Sequence, residues 1–111
     1  MWQGAVEETY LVFEFDEPAW AEQAEAQITE WVKGFRIAFG QLAARREQRG
    51  HGATLVVRLG FSEHERLAYE RWQERIPREP PFARAQRWAV VPPGDPGHGA
   101  LRMRFQELAE Q

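Results

Sequence analysis

Four stretches of the chain favour β-strands from their pattern of apolar and polar residues. They are TYLVFEF (Thr9–Phe15), ATLVVRLGF (Ala53–Phe61), AQRWAVV (Ala85–Val91) and ALRMRF (residues 100–105). The second is the clearest, since every other residue from Leu55 to Phe61 is apolar. In the last stretch Leu101, Met103 and Phe105 alternate with arginines. We therefore predict four strands at these positions.

Two helices are predicted between these strands. The first begins at Asp16-Glu17-Pro18, because acidic residues and proline suit the first turn of a helix. Its apolar residues, from Trp20 to Trp31, follow helical spacing. The second begins at Ser62, where SEHE forms a capping box, and ends before Pro77. The proline-containing stretch PREPPF that follows is predicted to be an extended connector.

The end of the first helix has two interpretations. An apolar stripe that includes Ala38, Phe39 and Leu42 favours one long helix as far as about Arg49. Two interior glycines and the alternation of Phe35, Ile37 and Phe39 favour a helix that ends at Lys33-Gly34. In the second case a strand and a turn through EQRGHG follow. Residues 35–49 leave both possibilities open.

The order of elements predicts an α+β protein with one domain, residues 1–111. We expect a two-layer sandwich, with two helices on one face of a mixed or antiparallel sheet of four or five strands, and ferredoxin-like as the first interpretation. The stretches WVKGFRIAF (residues 31–39) and ATLVVRLGFSEHERLAYERW (residues 53–72) resemble the middle of small dimeric α+β-barrel proteins. That group includes quinol-type monooxygenases and haem-degrading enzymes. The resemblance implies the fold and a tendency to dimerise, and it assigns no catalytic residue.

The tetrapeptide GHGA occurs twice, at residues 50–53 and 97–100. A helix joins the strands that begin at Ala53 and near Ala85, so these strands should run parallel. The strand predicted from Ala100 follows a short loop, so it should run antiparallel to the strand before it. His51 and His98 are then at opposite ends of the sheet, and we interpret both copies as glycine-rich turns. A head-to-tail dimer would still bring His51 of one chain to His98 of another.

The same topology places another group of polar residues at one end of the sheet. These residues are Ser62, Glu63, His64, Asp95 and His98. They follow the carboxyl ends of two strands, where ligands often bind, and free amides at a helix N-terminus suit an anion. His64, His98 and Asp95 are the catalytic candidates, and Ser62 and Glu63 are added as ligand-binding candidates. Solvated histidines and an ordinary helix cap explain the same residues.

The composition excludes several function classes. The 111 residues contain no cysteine, so disulfides and thiol catalysis are absent, and the formal net charge of −3 disfavours nucleic acid and anionic membranes. The N-terminus lacks the pattern of a signal peptide, which predicts a cytoplasmic protein. The bias towards arginine is typical of GC-rich bacteria, including thermophiles. We expect no cofactor and no metal.

Three short motifs remain incomplete. HERLAYE begins like a zinc-protease helix, but Ala68 stands where the second histidine belongs. PPGDPGHGA lacks the Gly-Lys-Ser/Thr of a phosphate-binding loop. Lys33-Gly34-Phe35 begins like an RNA-recognition motif, but the stacking aromatic that should follow is missing. None of the three supports an enzymatic or RNA-binding function.

The face of the sheet that two helices leave uncovered is the main candidate surface. It should carry apolar, aromatic and arginine side chains, a mixture typical of the core of an interface. The residues are Tyr10, Val12, Val56, Arg58, Trp88, Arg102 and Arg104. We therefore expect homodimerisation or binding of a protein partner. The alternatives are a small-ligand enzyme or sensor with a site around His64 and His98, and nucleic-acid binding through arginines.

Overall fold

The computed structural model describes residues 7–33 and 41–110. Its four strands form one antiparallel sheet in the order β2-β3-β1-β4. The strands are β1 (Glu7–Phe15), β2 (Gln41–Arg49), β3 (Gly52–Phe61) and β4 (Arg87–Val91). The helices are α1 (Pro18–Lys33), α2 (Arg66–Arg75), α3 (Pro80–Ala83) and α4 (His98–Ala109). The predicted α+β class is confirmed, and of the expected forms of the sheet the structure has the antiparallel one with four strands.

Strand β1 lies in the interior of the sheet, between β3 and β4. Its odd-numbered residues from Leu11 to Phe15 face the layer of α1 and α2, while Tyr10 faces the other side. Val12 pairs with Val56 of β3 and with Ala89 of β4. The alternation therefore places Leu11, Phe13 and Phe15 in the larger core and Tyr10 in a second core on the opposite face.

The larger core contains a group of aromatic side chains between the sheet and the helices. The rings of Trp31 and Trp72 meet edge to face, with centroids 4.9 Å apart, so that α1 is joined to α2. The ring of Phe82 lies 5.1 Å from that of Phe13 and 6.0 Å from that of Trp31. Burying each of these side chains stabilises the fold by roughly 1.5–3 kcal/mol, which makes this group a main source of its stability.

Within the described residues, α1 ends at Lys33 and a hairpin of β2 and β3 follows. The interpretation with a strand is therefore confirmed for this part, and the long helix to about Arg49 is wrong. Leu42 and Ala44 are buried on the helix side of β2, which a continuous helix would not allow. The alternating set Phe35, Ile37 and Phe39 lies outside the described residues.

The second helical region forms as predicted at its start and differs after its end. The backbone amide and hydroxyl of Ser62 donate to Glu65 Oε1 at 2.8 and 3.0 Å, and a 3₁₀ turn (Glu63–Glu65) leads into α2. The stretch predicted as an extended connector forms a second 3₁₀ turn (Ile76–Arg78) and the short α3. Proline suits the first turn of a helix, and the buried Phe82 fixes this segment against the core.

The prediction of a strand at ALRMRF is wrong, because these residues belong to α4. Phe105 and Leu108 are buried, Leu101 is half-buried, and Met103 is 67% exposed. Residues 101, 105 and 108 share one face of a helix, and this spacing extends beyond the six residues of the predicted strand. Helix α4 packs on the sheet face opposite α1, so helices cover both faces.

The two GHGA copies should respond in opposite ways to the same substitution. A Cβ at Gly52 would lie 2.1 Å from the carbonyl oxygen of Phe15, whereas nothing lies within 4 Å of one at Gly99. We expect Gly52→Ala to destabilise the protein by about 1–3 kcal/mol. Gly99→Ala should stabilise α4 by up to about 1 kcal/mol. Urea unfolding of both variants measures the difference, and equal effects would contradict this packing.

Candidate functional site

The predicted polar residues occupy one end of the sheet but lie in separate layers. His64 is exposed in the 3₁₀ turn after β3, on the side of α2. Among the described residues it has no hydrogen-bond or ion-pair partner. The neighbouring Glu63 carboxylate lies 3.8 Å from Arg66. Ser62 is engaged in the cap already described, so these residues form an ordinary helix start.

His98 belongs to the opposite layer, at the start of α4. Its Nε2 lies 2.8 Å from the carbonyl oxygen of Glu8, and its ring centroid is 5.2 Å from that of Tyr10. Since a carbonyl only accepts, Nε2 carries the proton in this contact. Glu8 pairs with Gly60 near the end of β3, which places His98 at the same sheet end as His64. The two histidines share an end and not a face.

Asp95 has a local structural role in the loop before α4. Its Oδ1 accepts a hydrogen bond from the backbone amide of Gly97 at 2.8 Å, and its carbonyl accepts one from the amide of His98 at 3.0 Å. No set of three or more His, Asp or Glu side chains in residues 7–33 and 41–110 is placed to hold a metal ion. The described part of this sheet end therefore offers local caps and turns.

The prediction that His51 and His98 lie apart is confirmed. His51 belongs to the two-residue turn between Arg49 and Gly52, at the sheet end opposite Glu8. Gly50 in this turn has a φ of 59°, which favours glycine. The first GHGA copy is thus a hairpin turn, whereas the second caps and begins α4. The interpretation of the second copy as a turn is corrected accordingly.

Helix α4 covers much of the face that the sequence predicted to be open. Tyr10 and Val56 are buried against Phe105 in a second, smaller core. The guanidinium groups of Arg58 and Arg45 lie 4.7 and 5.5 Å from the Phe105 ring centroid, in the arrangement of a cation–π contact. Four of the predicted interface residues therefore lie on the expected face. Tyr10 and Val56 are buried, Val12 is half-buried, and Arg58 lies over the Phe105 ring.

The remaining predicted interface residues occupy three different places. Arg102 is exposed on α4, and Arg104 on the same helix forms an ion pair with Glu47 of β2. Trp88 pairs with Phe13, so it lies on the face of α1 and α2. The prediction that Trp88 belongs to the outer face is therefore corrected. Its ring is 6.1 Å from that of Phe13, and 48% of the residue remains exposed.

Two side chains that contact their neighbours beneath α4, Tyr10 and Glu47, have shifted pKa values. Burial raises the pKa of the Tyr10 phenol to about 12, and the hydrogen bond to Glu8 acts in the same direction. The Arg104 guanidinium holds the pKa of Glu47 below its ordinary value, because it binds the charged carboxylate. Tyr10 is therefore a neutral hydrogen-bond donor at physiological pH, and Glu47 a charged anchor for α4.

A groove of about 440 Å³ adjoins Trp88 at the β4 side of the sheet. It is lined by Pro77, Phe82, Ala83, Ala85, Gln86, Arg87 and Trp88. Phe82 was not among the predicted core or site residues, because PREPPF was expected to be an extended connector, and Ala85 was expected to begin the strand Ala85–Val91. The available signal was the pair Pro80 and Pro81 directly before Phe82, since proline is favoured in the first turn of a helix.

The arginines of the described part are largely engaged. Six of them form ion pairs with glutamates: Arg46, Arg49, Arg66, Arg75, Arg87 and Arg104. Others lie over aromatic rings, such as Arg84 at 4.8 Å from the Trp20 centroid. These contacts give the named arginines a role within the fold, although each exposed ion pair contributes little to stability.

The sequence matches no protein-family model, and neither the curated proteins nor the solved structures contain a significant match. Among the described residues, no helix has both the length and the apolar character required to cross a membrane.

The dependence of α4 on Phe105 can be measured with a matched pair of substitutions on that helix. Phe105→Ala removes the ring between Tyr10 and two arginines, and we expect it to destabilise the protein by about 3–5 kcal/mol. Met103→Ala removes an exposed side chain two residues away and should change stability by less than about 0.5 kcal/mol. Chemical denaturation gives both values. Similar losses in the two variants would contradict the packing of α4.

The Glu47–Arg104 pair predicts a pH dependence of stability. The folded pKa of Glu47 lies below its ordinary value, so the pair stabilises the fold above the unfolded pKa. This contribution is lost as the pH falls through the folded pKa. We therefore expect Glu47→Gln to be less stable than the parent protein at neutral pH and to converge with it in acid. Glu110→Gln, an exposed change of equal charge, should show no such convergence.

Proposed function

We propose that this protein acts by homodimerisation, or by binding a protein partner at the same surface, and that the surface is the β4 edge of the sheet. The observation that carries the proposal is Trp88, a large aromatic side chain left 48% exposed on an edge strand. Half-exposed tryptophan is a frequent centre of protein interfaces, because it buries much apolar area on binding.

The composition of β4 supports this choice of surface. Arg87, Trp88 and Ala89 are all exposed, and in the described part of the chain β1 is the only strand beside β4. An edge strand has backbone groups that another chain can pair with. A groove whose lining includes Ala85, Gln86 and Arg87 adjoins Trp88. Strand edge, tryptophan and groove together form a continuous surface for a partner.

A ferredoxin-like arrangement is part of the same proposal. The element order of two β-α-β units and the antiparallel order β2-β3-β1-β4 both support it. The sequence resemblance to dimeric α+β-barrel proteins pointed to dimerisation, and we retain that expectation. The proposed surface differs from the one expected earlier, because α4 covers Tyr10 and Val56, whereas no described strand pairs with the outer edge of β4.

The proposal predicts how substitutions at two exposed residues change the mass of the protein in solution. We expect a concentration-dependent dimer by size-exclusion chromatography with light scattering. Trp88→Lys should weaken it by about 30-fold or more, the effect of losing a central interface aromatic. Met103→Lys is the matched control, because Met103 is equally apolar, 67% exposed and located on α4. It should leave the association unchanged.

A second variant separates binding from folding. Trp88 contacts Phe13, so its loss affects the core as well as the edge. Ala89→Lys changes an exposed edge residue that has no such ring contact. Thermal unfolding should leave Ala89→Lys near the parent protein while its dimer is lost. A parent protein that stays monomeric at all concentrations would contradict homodimerisation, and a dimer insensitive to Trp88 and Ala89 would contradict the surface.

A further inference from the structure

We propose that β4 of one copy pairs antiparallel with β4 of a second copy about a two-fold axis at Ala89, which joins the two sheets into one sheet of eight strands. This inference rests on the proposed homodimerisation and adds the edge, the direction and the register of the contact. The partner at the β4 edge is then a second copy of this chain.

The two edges of the sheet differ in a way that selects β4. Edge strand β2 has four charged residues among its nine, and Arg46 and Glu47 hold ion pairs with the helices. Charges along an edge disfavour pairing with another strand. Strand β4 has the sequence RWAVV, with Arg87 as its one charge. Pairing at β4 therefore leaves the charged edge in solvent.

The register follows from the faces of the two sheets. Opposed residues of an antiparallel pair point to the same side of the sheet. Both copies keep their α1 and α2 layers on one side only if Trp88 meets an even-numbered residue of the second strand. A pair centred on Ala89 fulfils this condition and also aligns all five residues of β4. Centres at Trp88 or Val90 leave part of the strand unpaired.

This register is self-complementary in chemistry. Trp88 of each copy lies opposite Val90 of the other, on the side where Trp88 already packs against Phe13. Ala89 meets Ala89 at the axis, where two small side chains allow close approach. An aromatic side chain opposite a β-branched one is a favourable cross-strand pair. The exposed part of Trp88 is thereby covered by apolar atoms of the second copy.

The charges near this contact do not oppose it. Arg87 lies opposite Val91 in the proposed register and keeps its own Glu14, whose carboxylate is 3.1 Å away. The two Arg87 residues are offset by four strand positions, or roughly 13 Å, which exceeds the Debye length of about 8 Å at physiological salt. Each copy has a formal net charge of −3, and the paired edge itself contains no carboxylate.

The absence of native cysteine makes a direct test possible. Ala89→Cys places a thiol on the proposed axis, where it meets only its own copy. Directly opposed residues of paired strands have Cβ atoms about 4.5–5.5 Å apart, close enough for a disulfide after a small adjustment. Gln48→Cys is the matched control, because it is also an exposed residue of an edge strand. Mild oxidation followed by a non-reducing gel measures how fast each variant forms a covalent dimer.

The expected result is rapid formation of a covalent dimer by Ala89→Cys alone. At roughly 10 μM protein it should form about a hundredfold faster than with Gln48→Cys, because paired strands give a millimolar effective concentration. Light scattering of the reduced Ala89→Cys protein establishes separately whether it dimerises. A reduced dimer that does not cross-link, or that cross-links equally at Gln48→Cys, would overturn the register while homodimerisation stands. A reduced monomer at all concentrations, with a monomeric parent protein, overturns both.

Discussion

The burial of β1 on both faces is the constraint on which the rest of the structure depends. Phe13 and its odd-numbered neighbours require the layer of α1 and α2, and Tyr10 requires a cover on the opposite side. Helix α4 supplies that cover through Phe105, with two arginine side chains around its ring. A sheet with one solvated face would leave the Tyr10 side chain and its hydrogen bond to Glu8 in water. The fold is therefore three-layered in its centre.

The parts of the fold that could be predicted from sequence are the strands in which every second residue is apolar over a long stretch. Strands β1 and β3 have this pattern, because one face of each meets the aromatic core. Strand β2 gives a weaker signal: Leu42 and Ala44 are its only buried residues, and four of its nine residues are charged. The prediction for α4 was wrong because a short window of alternating residues imitated a strand. Leu101, Met103 and Phe105 fit a strand within six residues, and only Leu108 beyond that window reveals the helical stripe.

The candidate site was predictable to the level of topology and no further. The strand connections place His64 and His98 at one end of the sheet, which the structure bears out through Glu8 and Gly60. The layer in which each histidine lies depends on whether residues 98–109 form a helix, and the sequence pattern predicted a strand there. The face of Trp88 depends on its register with Phe13. An apolar run such as WAVV contains no alternation from which that register can be read.

Covering both faces of a sheet changes which surface is left for a partner. Side chains of a helix can cover a sheet face. An edge strand has unpaired backbone N–H and C=O groups, and another strand can pair with all of them. At β2 the ion pairs of Arg46 and Glu47 connect the strand to α1 and α4. At β4 Arg87 is the one charged residue, and Trp88 beside it is exposed. Helix α4 thus removes Tyr10 and Val56 from the surface, whereas Trp88 on edge strand β4 stays 48% exposed.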